Sequence, residues 1–162
     1  MSITVVNDAR PEDVASARRF SVDTGMFEQE ASGEVEQQLF AVIAGQDPGT
    51  VLAAKQGPVV VGVGYFAPEP FSDRCWNLYF LVVDKEYHGA GIGSRIVNEV
   101  EQRLRDLGPD KARILLIETS STDQYANARV FYVARGYAEE ATVRDYYGPG
   151  EHKVIFWKQL HA

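Results

Sequence analysis

The stretch "DKEYHGAGIGSRI", Asp84 to Ile96, decides the fold, because an apolar run stops here and a helical pattern begins. Three glycines, Gly89, Gly91 and Gly93, fall at every second position. A sharp turn from strand to helix accounts for one or two of them, since glycine adopts unusual backbone angles at little cost. Consecutive small residues at a helix start also leave backbone N–H groups unpaired and unshielded, and the helix dipole favours an anion there. The stretch therefore predicts a strand, a loop that binds a pyrophosphate, and a helix.

Two common phosphate-binding motifs do not fit these glycines. A Walker loop needs Gly-Lys followed by Ser or Thr, whereas Gly93 is followed by Ser94. A dinucleotide fingerprint needs a third glycine at a fixed spacing, and that position falls on Ser94 or Ile96. Both motifs are therefore excluded, and the loop must bind its anion through backbone amides.

The chain before this stretch predicts three strands leading to a fourth, with two helices among them. The continuous apolar run Cys75 to Val83 is typical of a central strand buried on both faces. Turn residues, caps and apolar spacing place the earlier elements. They are a strand at Ile3–Val6, a helix from about Pro11 to Asp23, a helix capped by Ser32 and closed by Gly45, and a hairpin of Val51–Lys55 and Val59–Ala67.

The chain after the glycines continues the alternation of helix and strand. The pattern predicts a helix ending at Leu107, a strand at Ala112–Thr119, a helix around Tyr125–Arg135, and two strands joined by Gly148-Pro149-Gly150. The predicted order is β-α-α-β-β-β-α-β-α-β-β. We therefore predict one α/β domain over residues 3–160, with a mixed central sheet and helices on both faces.

Composition limits the classes of partner and site. The chain has 162 residues, 45% of them hydrophobic, and 23 acidic against 16 basic residues, a net charge of -7 that disfavours nucleic acid. Cys75 is the only cysteine, and His152 and His161 lack partners at ligand spacing, so we expect no disulfide and no metal. The sequence shows neither a signal peptide nor a membrane span. We expect a cytoplasmic protein without membrane contact.

Two motifs resemble those of the GNAT superfamily of N-acetyltransferases. "LVVDKEYHGAGIGSRIV" resembles its acyl-CoA signature, which is Gln or Arg, two residues, Gly, one residue, then Gly or Ala. The signature falls on His88, Gly91 and Gly93, and His88 departs from it. Without a fixed positive charge there, more of the phosphate binding rests on the backbone amides of residues 89–94. "NARVFYVARGY" resembles the second motif of the superfamily, in the expected order.

The resemblance implies acetyl-CoA as co-substrate. The phosphates would contact a loop made of His88, Gly89, Ala90, Gly91, Ile92, Gly93 and Ser94. The pantetheine arm would lie between the Cys75–Val83 and Ala112–Thr119 strands, pairing with backbone groups of Leu81, Val82 and Val83. The amide of Asn127 would reach the cofactor, although a helix-start residue without a ligand is an equal alternative.

The resemblance also implies the proton-transfer groups. Tyr132 matches the general acid of the family, which donates to the departing thiolate, with Phe131 facing the core and Tyr132 the cofactor. Glu118 is the candidate base, because a carboxylate ending an apolar strand is costly unless it is paired or used. A salt bridge or solvent exposure is its alternative. The ribosomal-protein alanine N-acetyltransferases are similar in this glutamate and in paired tyrosines like Tyr146 and Tyr147, but lack the extra residues within "SSTDQYA".

We therefore predict an acetyl-CoA-dependent N-acetyltransferase that acts by direct attack of a primary amine in a ternary complex. The acceptor is left open between a small-molecule amine and a protein N-terminus or lysine. The alternative is a regulatory module that binds acyl-CoA without turnover, which would need the glycine loop but neither Tyr132 nor Glu118. Similar proteins are frequently homodimers, and the same assembly is an expectation here.

Overall fold

The computed structural model describes residues 2–26 and 29–162. Over these residues the order of strands and helices is the predicted one. The elements are β1 Ile3–Val6, α1 Pro11–Asp23, α2 Gln29–Ile43, β2 Thr50–Gln56, β3 Val59–Pro68, β4 Cys75–Val83, α3 Ile92–Leu107, β5 Ile114–Ser120, α4 Ala126–Ala134, β6 Ala138–Gly148 and β7 Glu151–Gln159. Two single-turn 3-10 helices, Lys85–Tyr87 and Asp123–Tyr125, precede α3 and α4. No helix in the described ranges is long and apolar enough to cross a membrane.

The strands form one mixed sheet, as predicted, in the order β1-β2-β3-β4-β5-β7-β6. β4 and β5 are parallel, whereas β1 with β2, β2 with β3, and β7 with both β5 and β6 are antiparallel. The parallel pairing runs from Cys75 opposite Ile114 to Leu78 opposite Ile117. β4 then continues to Val83 and β5 to Ser120.

The first of two compact units comprises the described residues up to Ala67 together with residues 80–100. The helices α1 and α2 pack on one face of its strands through a core of Val14, Ala17, Phe20, Leu39, Val42, Val63, Tyr65 and Phe80. The other face carries α3 at Gly62, where a Cβ would lie 2.9 Å from Ile92 and 3.2 Å from Ile96. Only glycine permits this approach. The prediction of helices on both faces is confirmed within this unit.

The second unit comprises residues 68–79 and 101–162. Its buried residues include Leu115 and Ile117 of β5, Phe156 of β7 and Tyr132 of α4. The carboxylate of Glu101 is fully buried and meets three cations, Arg105 at 3.2 Å, Arg135 at 2.7 Å and Lys158 at 2.8 Å. Burial alone would raise the pKa of Glu101, but Lys158 and Arg135 outweigh that effect and lower it. This charge cluster fastens the end of α3 to the end of α4 and to β7.

The predicted boundaries differ from the observed ones mainly at α2. The helix begins at Gln29 rather than after a cap at Ser32, so that part of the prediction is wrong. Gln, Glu and Ala precede Ser32, and these residue types favour continued helix over a boundary. The end of the helix is as predicted, because Gly45 takes a φ of 77° and its N–H donates to the carbonyl of Val42 at 3.0 Å.

Candidate active site

The loop between β4 and α3 belongs to the first unit and exposes the two glycines with positive φ. Gly89 has a φ of 83° and Gly91 a φ of 78°, and residues with a Cβ rarely adopt such positive φ angles. Apart from chain neighbours, nothing lies within 4 Å of the position where a Cβ would stand at either glycine. These glycines are therefore required by the backbone angles, and the space above them is open.

The backbone N–H groups of this loop have few acceptors. The N–H of Ala90 donates to Tyr87 at 3.2 Å, and the first helical bond of α3 is from Arg95 to Gly91 at 3.1 Å. In the part of the chain that the structure describes, no acceptor meets the N–H groups of Gly89, Gly91, Ile92, Gly93 and Ser94. Such groups at the start of a 16-residue helix form an anion-binding site. The loop thus has the donors that a pyrophosphate needs.

The His88 side chain is turned back toward the end of β4. Its Nε2 lies 3.0 Å from the carbonyl oxygen of Val83, which can only accept, so the ring nitrogen donates this hydrogen bond. A neutral imidazole has a single N–H, and here it is used within the protein. The Nε2–H is therefore not available to an anion in this conformation, and the unpaired backbone amides carry more of the anion site.

The end of β4 borders the same loop. Val82 is buried, whereas Leu81 and Val83 are half-buried. The side chains of Leu81 and Val83 lie 3.9 and 4.0 Å from the Cβ position of Gly93. The strand end and the first turn of α3 are thus packed together. Residues 81–83 and 88–94, which were predicted to bind the cofactor, therefore lie in one region of the first unit.

Tyr132 lies in the second unit and is more deeply buried than expected. It is 5% exposed, and its ring packs on Phe156 at 5.3 Å and on Tyr137 at 5.9 Å between ring centroids. We expected Phe131 to face the core, but Phe131 is only half-buried and Tyr132 is the more buried of the two. The reason is that β7 offers Tyr132 an aromatic platform. Burial raises the pKa of Tyr132 to about 12, which keeps the phenol protonated.

Glu118, near the end of β5, is an ion-paired carboxylate. Its Oε1 lies 2.7 Å from Nζ of Lys153, and both side chains are largely buried, 15% and 12% exposed. The Lys153 ammonium also lies 3.9 Å from the centre of the Tyr146 ring. Partial burial lowers the pKa of Lys153, but the hydrogen bonds and charges of Glu118 and Tyr146 outweigh it and raise the pKa. The salt bridge that sequence analysis kept as an alternative for Glu118 is therefore present.

The register places Glu118 and Tyr132 on opposite faces of the sheet. Ile117 is opposite Phe156 and Glu118 is opposite Ile155, and successive side chains of a strand alternate between faces. Tyr132 packs on Phe156, hence on the face away from Glu118. The register alone therefore does not bring the two side chains together.

Sequence analysis did not identify the two residues that contact Glu118, Asn77 and Lys153. Nδ2 of Asn77 donates to Glu118 Oε2 at 2.6 Å and to Glu69 Oε1 at 2.7 Å. The hydroxyl of Tyr79 also donates to Glu69 Oε1. Asn77 had a visible signal, because it is the only amide in the apolar run from Cys75 to Val83. Lys153 had no comparable signal, since it meets Glu118 only through the pairing of β5 with β7.

The paired tyrosines do not alternate as a regular strand would require. Tyr146 is 56% exposed and Tyr147 is 40% exposed, with their rings edge to face at 5.0 Å. In a regular strand one of two neighbouring side chains would face the core, and here neither does. The pairing of β6 with β7 is interrupted between Val143 and Gly148, and Asp145 has a φ of 57° in this interruption. Every residue of β6 from Ala138 to Tyr147 is exposed, so the outward position of both rings follows from the exposure of the whole strand. The Tyr146 ring lies against the Lys153 ammonium.

Asn127 and the extra residues of "SSTDQYA" connect β5 to α4. Asn127 is exposed on the first turn of α4. Arg129 donates to the carbonyls of Ser120 at 2.7 Å and Thr122 at 2.8 Å. The N–H of Ser121 donates to the carbonyl of His152 at 2.9 Å, and the N–H of His152 donates to Ser121 Oγ at 2.9 Å. Hydrogen bonds therefore hold this connection against Arg129 of α4 and His152 of β7. Within residues 2–26 and 29–162, no group of three or more His, Cys, Asp or Glu side chains could hold a metal ion.

Comparison with known proteins gives a family match over most of the chain. The model of the Acetyltransferase (GNAT) family matches residues 16–137, and the predicted extent of the domain, residues 3–160, stays a prediction. A curated relative, the thialysine N-epsilon-acetyltransferase of Bos taurus, is 29% identical over 132 residues, covering 73% of this chain and 77% of that protein.

Two solved structures have the same fold. A GNAT acetyltransferase of Desulfovibrio desulfuricans superposes with a TM-score of 0.85 at 24% identity, over 99% of this chain and 100% of that one. The Escherichia coli ribosomal-protein-S18-alanine N-acetyltransferase gives 0.76 at 17% identity, over 99% and 96%. At such identities the structures show the fold alone, while the family match and the shared motifs show the kind of enzyme. The chain therefore belongs to the GNAT family and is an acetyltransferase.

Proposed function

We propose that this acetyltransferase moves the acetyl group of acetyl-CoA to a primary amine by direct attack in a ternary complex. The observation that carries the proposal is the row of N–H groups without acceptors from Gly89 to Ser94, beside open space at Gly89 and Gly91. An aminoglycoside 6'-N-acetyltransferase of the same fold, with a TM-score of 0.73, has been solved with coenzyme A. We assign the pyrophosphate to this loop and the pantetheine amides to backbone groups of residues 81–83.

Glu118 is the proposed base. An alkylammonium has a pKa of about 10.4 and must lose a proton before its nitrogen can attack. The Glu118 carboxylate accepts that proton, directly or through a water, and Lys153 and Asn77 hold its two oxygens meanwhile. The amine nitrogen then forms a bond to the carbonyl carbon, and the carbon–sulfur bond breaks with its electron pair leaving on the sulfur. The second N–H proton of the attacking nitrogen passes to solvent water or to that thiolate.

Tyr132 is the proposed partner of the leaving sulfur. Its pKa of about 12 lies above the value of about 8.5 for an ordinary thiol. A full proton transfer to the thiolate is therefore unfavourable, and Tyr132 acts chiefly by donating a hydrogen bond to the sulfur as charge develops there.

The acceptor class follows from the relative and from local charge. The name of the bovine relative specifies thialysine, a small molecule with a primary amine, as the substrate of that protein. Around Glu118 two carboxylates, Glu69 and Glu118, are accompanied by one ammonium, Lys153, which leaves a net negative charge that suits an alkylammonium. We therefore favour a small amine over a protein N-terminus.

The test is a screen of acceptors with purified protein and acetyl-CoA. The panel contains thialysine, lysine, an aminoglycoside and a peptide with N-terminal alanine, and the readouts are free thiol and product mass. We expect acetylation of thialysine or lysine above that of the peptide. Failure to bind acetyl-CoA would overturn the proposal.

A non-catalytic acyl-CoA-binding module is the second candidate, and the engagement of Glu118 by Lys153 favours it. Binding of acetyl-CoA with no turnover on any amine of the panel would support this candidate instead.

A further inference from the structure

Asn77 is a polar side chain placed where the strand is otherwise apolar. It is fully buried in β4 and lies opposite Leu116, one residue before the last parallel pair of β4 with β5. Its backbone is therefore fixed by the sheet, and its side chain shares the face of Leu116 and Glu118. An amide buried in this way must be satisfied locally or serve its neighbours.

The hydrogen-bond pattern allows one orientation of the Asn77 amide. Nδ2 lies 2.7 Å from Glu69 Oε1 and 2.6 Å from Glu118 Oε2, and an ionised carboxylate can only accept. A flipped amide would set its oxygen against both carboxylates. Both hydrogens of Nδ2 are consequently used, while Oδ1 is buried without a partner among the described residues. The fold thus tolerates an unsatisfied carbonyl in order to keep two donors directed at the carboxylates.

Glu118 is held on both oxygens as a result. Lys153 pairs with Oε1 at 2.7 Å and Asn77 donates to Oε2 at 2.6 Å. With Asn77 removed, Oε2 would lose its donor, and the carboxylate could rotate to present both oxygens to Lys153. A base turned onto a lysine is poorly placed to take a proton from an acceptor, since catalysis is sensitive to displacements of about 1 Å.

We propose that Asn77 is a positioning residue for acetyl transfer, orienting the Glu118 carboxylate through one amide hydrogen while Glu69 fixes the amide through the other. This inference rests on the proposed function in one respect, the role of Glu118 as base. Asn77 is not expected to touch acetyl-CoA or the acceptor.

The experiment is a double-mutant cycle on kcat/KM, measured with the best acceptor of the panel. We expect Asn77→Leu, which is nearly isosteric, to lower kcat by about 10²-fold with little change in KM for acetyl-CoA. Glu118→Ala is used for the cycle because it creates no new amide contact. If Asn77 acts through Glu118, adding Asn77→Leu to Glu118→Ala should lower kcat by less than about threefold more.

The matched control is Cys75→Ala, on the same strand and the same face two residues away, with no described bond to Glu118. We expect its kcat/KM to stay within about twofold of wild type. Thermal unfolding of each variant shows whether it is folded. Should Asn77→Leu reduce kcat equally in the wild-type and Glu118→Ala backgrounds, its effect would be structural and the proposal would be overturned.

A crystal structure of Asn77→Leu gives a second readout that does not depend on turnover. We expect the Glu118 carboxylate to be rotated toward Lys153 or to occupy more than one rotamer. An unmoved Glu118 would refute the positioning role, even for an enzyme that acetylates nothing in the panel. Full activity of Glu118→Ala with a displaced Glu118 in Asn77→Leu would instead refute the proposed base and leave the geometry correct.

Discussion

Replacing Gly91 with valine tests the phosphate loop through its backbone. At a φ of 78° a β-branched residue is strained by about 1–3 kcal/mol. In the free protein the loop can relax to a negative φ, which turns the N–H groups of Gly91 and Ile92 away from the anion. Binding of coenzyme A must then restore the strained conformation. We expect that cost to appear in the affinity as a rise in Kd of about 10-fold to 10²-fold.

Isothermal titration with coenzyme A measures this change, and Gly108→Val is its matched control. Gly108 also has a positive φ, 86°, and also has nothing within 4 Å of its Cβ position, but it lies in the turn after α3. Both variants should lose similar amounts of stability in urea unfolding, whereas only Gly91→Val should bind coenzyme A weakly. Equal affinities for the two variants would refute the reasoning, because the strain would then be unrelated to the ligand.

Three further predictions concern single side chains. Tyr132→Phe should lower kcat by about 10²-fold without weakening coenzyme A binding. Because the pKa of Tyr132 is about 12, the phenol stays protonated and the ratio of wild-type to variant kcat should be constant from pH 6 to 10. A ratio that falls toward one below pH 10 would contradict this role. Burial and Asp47 raise the pKa of Tyr65 to about 12, above its unfolded value of about 10, so its contribution to stability is complete below pH 10 and is lost as the pH rises toward 12. Urea unfolding should therefore show a steeper alkaline loss for wild type than for Tyr65→Phe, and parallel curves would refute the shift. Glu101→Gln should destabilise the fold by about 3–5 kcal/mol, because Arg135 and Lys158 would lose a fully buried counter-charge, and a Tm within a few degrees of wild type would show the cluster to be dispensable.

The element order could be predicted because it is written in local patterns. The run from Cys75 to Val83, the glycines of the loop and the apolar spacing of α3 each specify their own structure within about 15 residues. The anion site could be predicted for the same reason, since it consists of consecutive backbone groups. The start of α2 was misplaced because a good capping residue, Ser32, stands within a sequence that also favours helix before it.

The surroundings of Glu118 could not be predicted, because they depend on strand register. Lys153, Asn77 and Glu69 come from three separate segments and meet only once β5 has paired with β4 and β7. The exposure of both Tyr146 and Tyr147 belongs to β6 as a whole, which is exposed from Ala138 to Tyr147, and the alternation of a regular strand does not predict it. Tyr132 was assigned from a motif, and its burial against Phe156 is likewise a consequence of tertiary contacts.

The central claim is that the backbone of residues 89–94 binds the pyrophosphate of coenzyme A. A crystal structure of the protein grown with coenzyme A tests it most directly. We predict phosphate oxygens within about 3 Å of N–H groups between Gly89 and Ser94. Coenzyme A bound at another place, with these amides facing solvent or paired within the protein, would contradict the account.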